Sequence, residues 1–330
     1  MSWRWMRPGG EPLPVCNERD TIYPQQISIS RHFDANVYAW EGNYLQELSL
    51  FKGPCKISLL VLNMEQDSRF WFTPPTDRLS LVTAVQSSFT YYWTGVGKNS
   101  MKQQEVKMMY SPGKMVHQLL VAKGVTRILS VSVNKDWVRT GAGNKLQLQY
   151  FLEQINAVGI QACQLPGILA PVIMQKRFEK LMSGNGWVDV SVEARQLVKE
   201  YFGALAKKYQ KNFVCAKDLE RFKKAVEYVK VHCSSPVSMA DLCQVAGCGE
   251  TTLRKAFNGI IGMNPSLYIA EAIALFSVNM LLNTDGFIHK EVDRGSGHTV
   301  DNTGFIIKGR LGISPRELRA MGEKSIFLTE

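Results

Sequence analysis

Between residues 246 and 258 the chain reads Ala246-Gly-Cys-Gly-Glu250-Thr-Thr-Leu-Arg254-Lys-Ala-Phe257-Asn258. Leu253 and Phe257 are four apart, so on a helix they share one face and bury it together. That turns Glu250, Thr251, Arg254, Lys255 and Asn258 outward. Arginine pairs bidentately with guanine and asparagine with adenine, and a lysine meets phosphate or guanine. These five side chains could therefore read the edges of base pairs. They would also make an ordinary solvated face in a helical bundle, and spacing alone leaves the two readings even.

Other chemistry is poorly supplied. A metal-binding β-barrel needs two histidines, a carboxylate and a further histidine. The β-rich region offers only His32 and His117, far apart. No phosphate-binding loop, G-x-G-x-x-G or Ser-His-Asp order occurs. The sequence predicts no catalytic residues, no metal and no cofactor, hence no enzyme. Seven cysteines, at 16, 55, 163, 215, 233, 243 and 248, form no C-x-x-C pair. Their odd number and spacing argue against a disulfide framework and for a reducing cytoplasm. Cys233, Cys243 and Cys248 read as helix and turn residues rather than zinc ligands. Trp71, Phe72, Phe89, Tyr91, Tyr92 and Trp93 could line an apolar ligand pocket or simply pack a core. Strand alternation puts Tyr91 and Trp93 on one face and Tyr92 on the other. Trp71, Tyr91 and Trp93 are the candidate effector-binding residues.

The elements that must hold these residues fall into three stretches. The 330 residues, 45% hydrophobic and 21% charged, are globular and long enough for two domains. From about 20 to 138, short β-type runs are punctuated by Gly and Pro. They include 56–64, 69–73, 79–85, 89–94, 106–110, 116–121 and 126–133, and they predict a sandwich or small barrel. From 139 to 216 the pattern turns helical, at 146–158, 171–182 and 190–209. These helices could form a dimer surface or cover the sandwich. From 217 to 322 short helices follow. One of them starts at Ser238-Met-Ala-Asp241, where serine caps the first turn and aspartate replaces the usual Glu or Gln of a capping box.

Net charge is +10, which permits a polyanionic partner. The excess is +9 over residues 1–216 and only +2 over 217–322, so charge alone does not point to the helical segment. No run approaches the roughly 18 apolar residues that span a bilayer, so no membrane partner is expected. Residues 1–8 carry positive charge without a following apolar stretch, which predicts no secretory signal.

Two short helices joined by a glycine-containing turn form a helix-turn-helix. The phrase Pro236-Val-Ser-Met-Ala-Asp-Leu-Cys-Gln-Val-Ala-Gly-Cys-Gly-Glu-Thr-Thr-Leu-Arg-Lys-Ala-Phe257 resembles the first helix-turn-helix of AraC/XylS-family transcription regulators. Gly262-Met-Asn-Pro265-Ser-Leu-Tyr268-Ile269 continues the resemblance. Lys308-Gly-Arg-Leu-Gly312-Ile-Ser314-Pro315-Arg-Glu-Leu-Arg319 is similar to the end of the family's second unit. That unit is degenerate here. Thr303 stands where a core phenylalanine is usual, Ile273 where the linker helix has an arginine, and Gly295, Gly297 and Gly304 weaken helices. The N-terminal half is similar, more loosely, to the sensor of siderophore-responsive members. The carrying phrases are Leu48-Ser-Leu-Phe-Lys-Gly53, 57–64, Met109-Tyr-Ser-Pro-Gly113, 128–133 and Val192-Glu-Ala-Arg-Gln-Leu197.

The resemblance implies an α+β chain. A cupin-like β-sandwich sensor would occupy residues 1–138, a helical connector 139–216, an all-α DNA-binding domain with two helix-turn-helix units 217–322, and a tail 323–330. It implies a cytoplasmic, effector-responsive transcription regulator, an activator, that binds double-stranded DNA through Ser238, Glu250, Thr251, Arg254, Lys255, Asn258, Lys308 and Arg310. A small-molecule effector, RNA polymerase and a second copy of the chain are the other expected partners. The rival reading is a cupin-like binding protein or enzyme whose helical tail binds another protein. Two further expectations follow: residues 217–330 fold alone, and 285–310 are loosely held in the absence of DNA.

Overall fold

The computed structural model describes residues 4–6, 13, 15–16, 33–40, 42–52, 55–74, 76–93, 96–111, 113, 116–142, 148, 150–153, 163–183, 189–209, 214–232, 235–283, 304–305, 307–309 and 312–319. The N-terminal part is a pair of antiparallel sheets. One sheet contains β1 (Arg4–Met6), β6 (Ser68–Thr73), β11 (His117–Val121), β8 (Phe89–Trp93) and β9 (Gly97–Met101), in that spatial order. The larger sheet runs β13 (Cys163–Gln164), β10 (Glu105–Ser111), β7 (Arg78–Gln86), β12 (Gly124–Ser132), β5 (Cys55–Met64), β4 (Asn43–Lys52), β3 (Asp34–Trp40) and β2 (Val15–Cys16). The short β14 (Ile168–Leu169) also pairs with β10.

The apolar run in β5 is buried on both faces, which is why it does not alternate with polar residues. Leu60, Leu62 and Met64 point between the sheets, where they meet Phe70, Phe72, Phe89, Tyr91, Trp93 and Leu119. Ile57, Leu59 and Val61 point the other way, into a core closed by helices. Those helices are α1 (Lys135–Ala142), α2 (Val172–Ser183) and α3 (Val190–Tyr209). On α3 the residues Val190, Ala194, Leu197, Val198, Tyr201, Phe202 and Leu205 are buried at helical spacing in that core. The connector therefore spends its main apolar face on covering the sandwich, and Val192 stays exposed. Arg177 of α2 binds Glu193 and Glu200 of α3, at 2.5 and 2.7 Å, and fixes the two helices side by side.

The C-terminal part is helical: α4 (Ala216–His232), α5 (Met239–Ala246), α6 (Glu250–Ile260) and α7 (Pro265–Asn283), with short helical stretches at 304–305, 307–309 and 315–319. Phe222, Val226 and Val229 of α4, Leu242 of α5, Leu253 and Phe257 of α6, and Tyr268 and Ile269 of α7 make one core. Tyr150 joins it from the connector, edge-on to Phe222 at 4.7 Å between ring centroids.

A further core lies between the halves of the chain. Met6, Trp71, Tyr92 and Val116 on the outer face of the smaller sheet cluster with Val278, Leu281, Ile307, Ile313 and Leu318. Buried contacts of the C-terminal segment thus reach beyond residues 217–330. Most of 285–310, expected to be loose, lies outside the described residues, as do Thr303, Gly295 and Gly297. No single described helix is long and apolar enough to cross a membrane.

Candidate nucleic-acid interface

The first helix pair is built by local signals. Ser238 caps α5: its Oγ accepts from the Asp241 N–H at 3.2 Å, and Asp241 Oδ2 accepts from the Ser238 N–H at 2.8 Å. Aspartate thus closes a full capping box in place of Glu or Gln. Those bonds, from Ser238 foremost, hold the exposed Asp241 carboxyl below the usual range. The Ser238 hydroxyl also donates to Asp241 Oδ2 at 2.6 Å. Ser238 thus caps the helix, and it is exposed at the helix start.

Helix α5 ends at Gly247, whose left-handed φ of 61° a side chain rarely adopts. Three residues later α6 begins. Leu253 and Phe257 are fully buried, and Phe257 packs edge-on between Phe222 at 4.7 Å and Tyr268 at 5.5 Å. This phase leaves Glu250, Thr251, Lys255 and Asn258 exposed and Arg254 half-buried. Arg254 Nε donates to Glu250 Oε1 at 2.7 Å. Both side chains are about half exposed, so the pair is worth little and is readily exchanged for another acceptor. Burial pushes the Asp218 carboxyl up, but hydrogen bonds from Cys215 and Arg221 outweigh it and hold it low, with the charge of Lys255 adding least.

Asn258 differs from the other four. It lines a cavity of about 280 Å³ with Asn99, Glu105 and Lys107 of the strands and with Gln164 and Lys208 of the connector. The base-reading role expected of Asn258 is therefore not matched by its position, because this turn of α6 faces the sandwich. In that cavity wall Lys107 Nζ donates to Tyr91 Oη at 3.1 Å and to the Ser100 carbonyl at 2.8 Å. The Tyr91 hydroxyl donates in turn to Gln164 Oε1 at 2.7 Å. Burial pulls the Lys107 ammonium down from its ordinary value, with Lys208 adding and Glu105 opposing. Burial also pushes the Tyr91 phenol up. Lys308 is exposed in the helical stretch 307–309, and Arg310 lies outside the described residues.

The three candidate effector residues separate. Tyr91 and Trp93 line a small apolar cavity of about 50 Å³ between the sheets, with Trp5, Phe72, Leu119 and Ile128. Trp71 is on the opposite face of its strand, in the cluster shared with the C-terminal segment, and is corrected from a ligand contact to a packing residue. Sequence alternation fixed which neighbours share a face but not which face is inward. His117, set aside as a ligand, is fully buried. It stacks on Trp93 at 4.1 Å, and its Nε2 lies 2.5 Å from Ser111 Oγ. A Ser–His pair is nucleophile chemistry in principle. Here both residues are sealed from solvent, so the pair ties the two sheets together instead. Burial pushes the imidazole down to about 3, which keeps it neutral. Among the described residues no three His, Cys, Asp or Glu side chains gather as a metal site. His32 lies outside them.

No family model and no curated protein matches the chain. Similar solved structures include the following three. ToxT from Vibrio cholerae O395 is 12% identical with a TM-score of 0.39, over 84% of this chain and 99% of that one. An AraC-type DNA-binding domain protein from Chromobacterium violaceum is 21% identical with a TM-score of 0.30, over 33% of this chain and 96% of that one. The AraC-like transcriptional activator CuxR is 12% identical with a TM-score of 0.34, over 66% of this chain and 75% of that one. At these TM-scores the likenesses carry no argument of their own, and function rests on the chain's own residues.

Proposed function

We propose that the chain is a sequence-specific DNA-binding transcription regulator whose N-terminal sandwich responds to an effector. The supporting observation is α6. Its Leu253 and Phe257 are fully buried, while Glu250, Thr251 and Arg254 at its N-terminal end face away from the core. It follows a capped helix across a left-handed glycine turn. In a helix-turn-helix the N-terminal residues of the second helix meet base edges. Arg254 reads a guanine, Thr251 and Glu250 flank it, and Lys255 and Lys308 meet phosphates. Residues 1–138 act as sensor, 139–216 as connector and 217–322 as the DNA-binding domain. The protein works in the cytoplasm without catalysis, and effector and DNA are linked only by a coupling free energy.

The effector is a small apolar molecule. The space beside Tyr91 and Trp93 is apolar, but at about 50 Å³ it is far below the roughly 300 Å³ of ordinary ligand pockets. Binding therefore requires the sheets to part. Contact with RNA polymerase, as an activator makes, and pairing with a second copy complete the reading.

Selection of duplexes from a random pool by the full chain tests the function. Enrichment of one motif, lost with Arg254→Ala, supports it. Saturable binding with no sequence preference would overturn it. Thermal shift on adding candidate apolar ligands tests the sensor.

A further inference from the structure

The second helical stretch shares its core with the smaller sheet. Among the described residues 304–319, the buried ones are Ile307, Ile313 and Leu318, and all three lie in the cluster that holds Trp71 and Tyr92. Trp71 and Tyr92 are each 1% exposed. Polar contacts surround this cluster. The Tyr92 hydroxyl donates to Glu271 Oε2 at 2.9 Å. The Arg69 guanidinium and the Gln118 amide lie against Gly312. Arg319 Nε donates to the Leu281 carbonyl at 3.3 Å, which ties the stretch to α7.

Helical stretches as short as 304–305, 307–309 and 315–319 do not persist in water on their own and depend on tertiary packing. Gly304 and Gly309 lower their helix propensity further. A buried tryptophan and a buried tyrosine supply large apolar area in compact form. Here they come from strands β6 and β8, far away in sequence.

We infer that the outer face of the smaller sheet, formed by Met6, Trp71, Tyr92 and Val116, is an integral part of the core of residues 304–305, 307–309 and 312–319, which keep their fold only while docked on it. The sensor then decides whether the second unit is presented at all. The route is one residue thick: Phe70, Phe72, Tyr91 and Trp93 face the sandwich interior, while Trp71 and Tyr92 between them face the docked helices. Parting the sheets for a ligand moves the strands that carry the docking face. This regulatory consequence rests on the proposed DNA-binding function, whereas the docking itself does not.

Hydrogen exchange of the full-length chain, without DNA, tests the docking. Trp71→Ser and, separately, the milder Val116→Ser change the sensor face alone. Exchange in 304–319 should become at least about tenfold faster in Trp71→Ser, and faster to a lesser degree in Val116→Ser. Residues 57–64 should stay slow as the sign that the sandwich is intact, and 238–261 should stay slow as the first unit. If 304–319 remain as protected as in the wild type in both variants while 57–64 stay slow, that segment has its own core and the inference fails. Should Trp71→Ser open the sandwich itself, Val116→Ser alone decides. Because no DNA is present, an error in the functional reading leaves this outcome untouched.

Discussion

The Tyr92 hydroxyl donates a 2.9 Å hydrogen bond to Glu271 Oε2, joining a sensor strand to the middle of helix α7 across 179 residues of sequence. Glu271 is fully buried, and the backbone opposite it is Gly97, with φ +92°. At that φ a side chain is strained, and a Cβ at Gly97 would come within 2.8 Å of Glu271 Oε1, so both the backbone and the close approach favour glycine. Tyr92→Phe and Glu271→Ala should be coupled by about 1–3 kcal/mol in a double-mutant cycle read by urea denaturation. Additive losses would mean that this bond does not link the two halves energetically.

Phe257 is the keystone of the first helix pair, with Phe222 and Tyr268 edge-on to its ring. Phe257→Ala should cost about 3–5 kcal/mol. The loss should appear as earlier melting of the C-terminal helices by circular dichroism. An unchanged transition would show that the ring contributes no core packing.

Arg254 and Lys308 should fail differently. Arg254→Ala should lose about 1–3 kcal/mol of binding and relax preference at one base pair. Lys308→Ala should weaken all sequences alike and lower the salt slope by about one. Competition binding at several salt concentrations separates the two. Equal, sequence-independent losses for both variants would remove Arg254 from the reading surface.

His117 gives the sandwich an acid-side weakness. Its folded-state value is pushed down to about 3 from 6.5 by burial, so the unfolded chain takes up a proton that the folded chain refuses. The stability tied to this group is complete above about 6.5 and is lost as pH falls toward about 3, by roughly 1.4 kcal/mol per pH unit. His117→Phe keeps a ring against Trp93 and removes the titration. Its denaturation midpoint should fall less steeply with acid than that of the wild type between pH 6 and 4. Parallel acid profiles would show that His117 titrates normally.

Much of the first helix pair is legible in sequence because its signals are local. Ser238 and Asp241 are three residues apart and satisfy each other, Gly247 supplies its own turn, and Leu253 and Phe257 set the phase of α6 by spacing alone. The strand runs are legible for the same reason, since alternation and punctuation are properties of a few neighbours. Even the relation between Tyr91, Tyr92 and Trp93 follows from a period of two.

The sequence by itself thus determined the elements, their phases and the relative parity of neighbouring side chains. Only the tertiary structure decided what each face meets. Trp71 and Tyr92 read as pocket aromatics or sandwich core, yet they pack against residues more than 180 positions away. Asn258 reads as a base contact, yet it sits over a cavity walled by Lys107 and Gln164. The run in β5 could not announce that helices would cover its second face. The physical reason is common to all three. A local pattern fixes direction relative to the backbone, whereas the partner is chosen by the burial of apolar area summed over the whole chain, to which distant segments contribute as much as near ones.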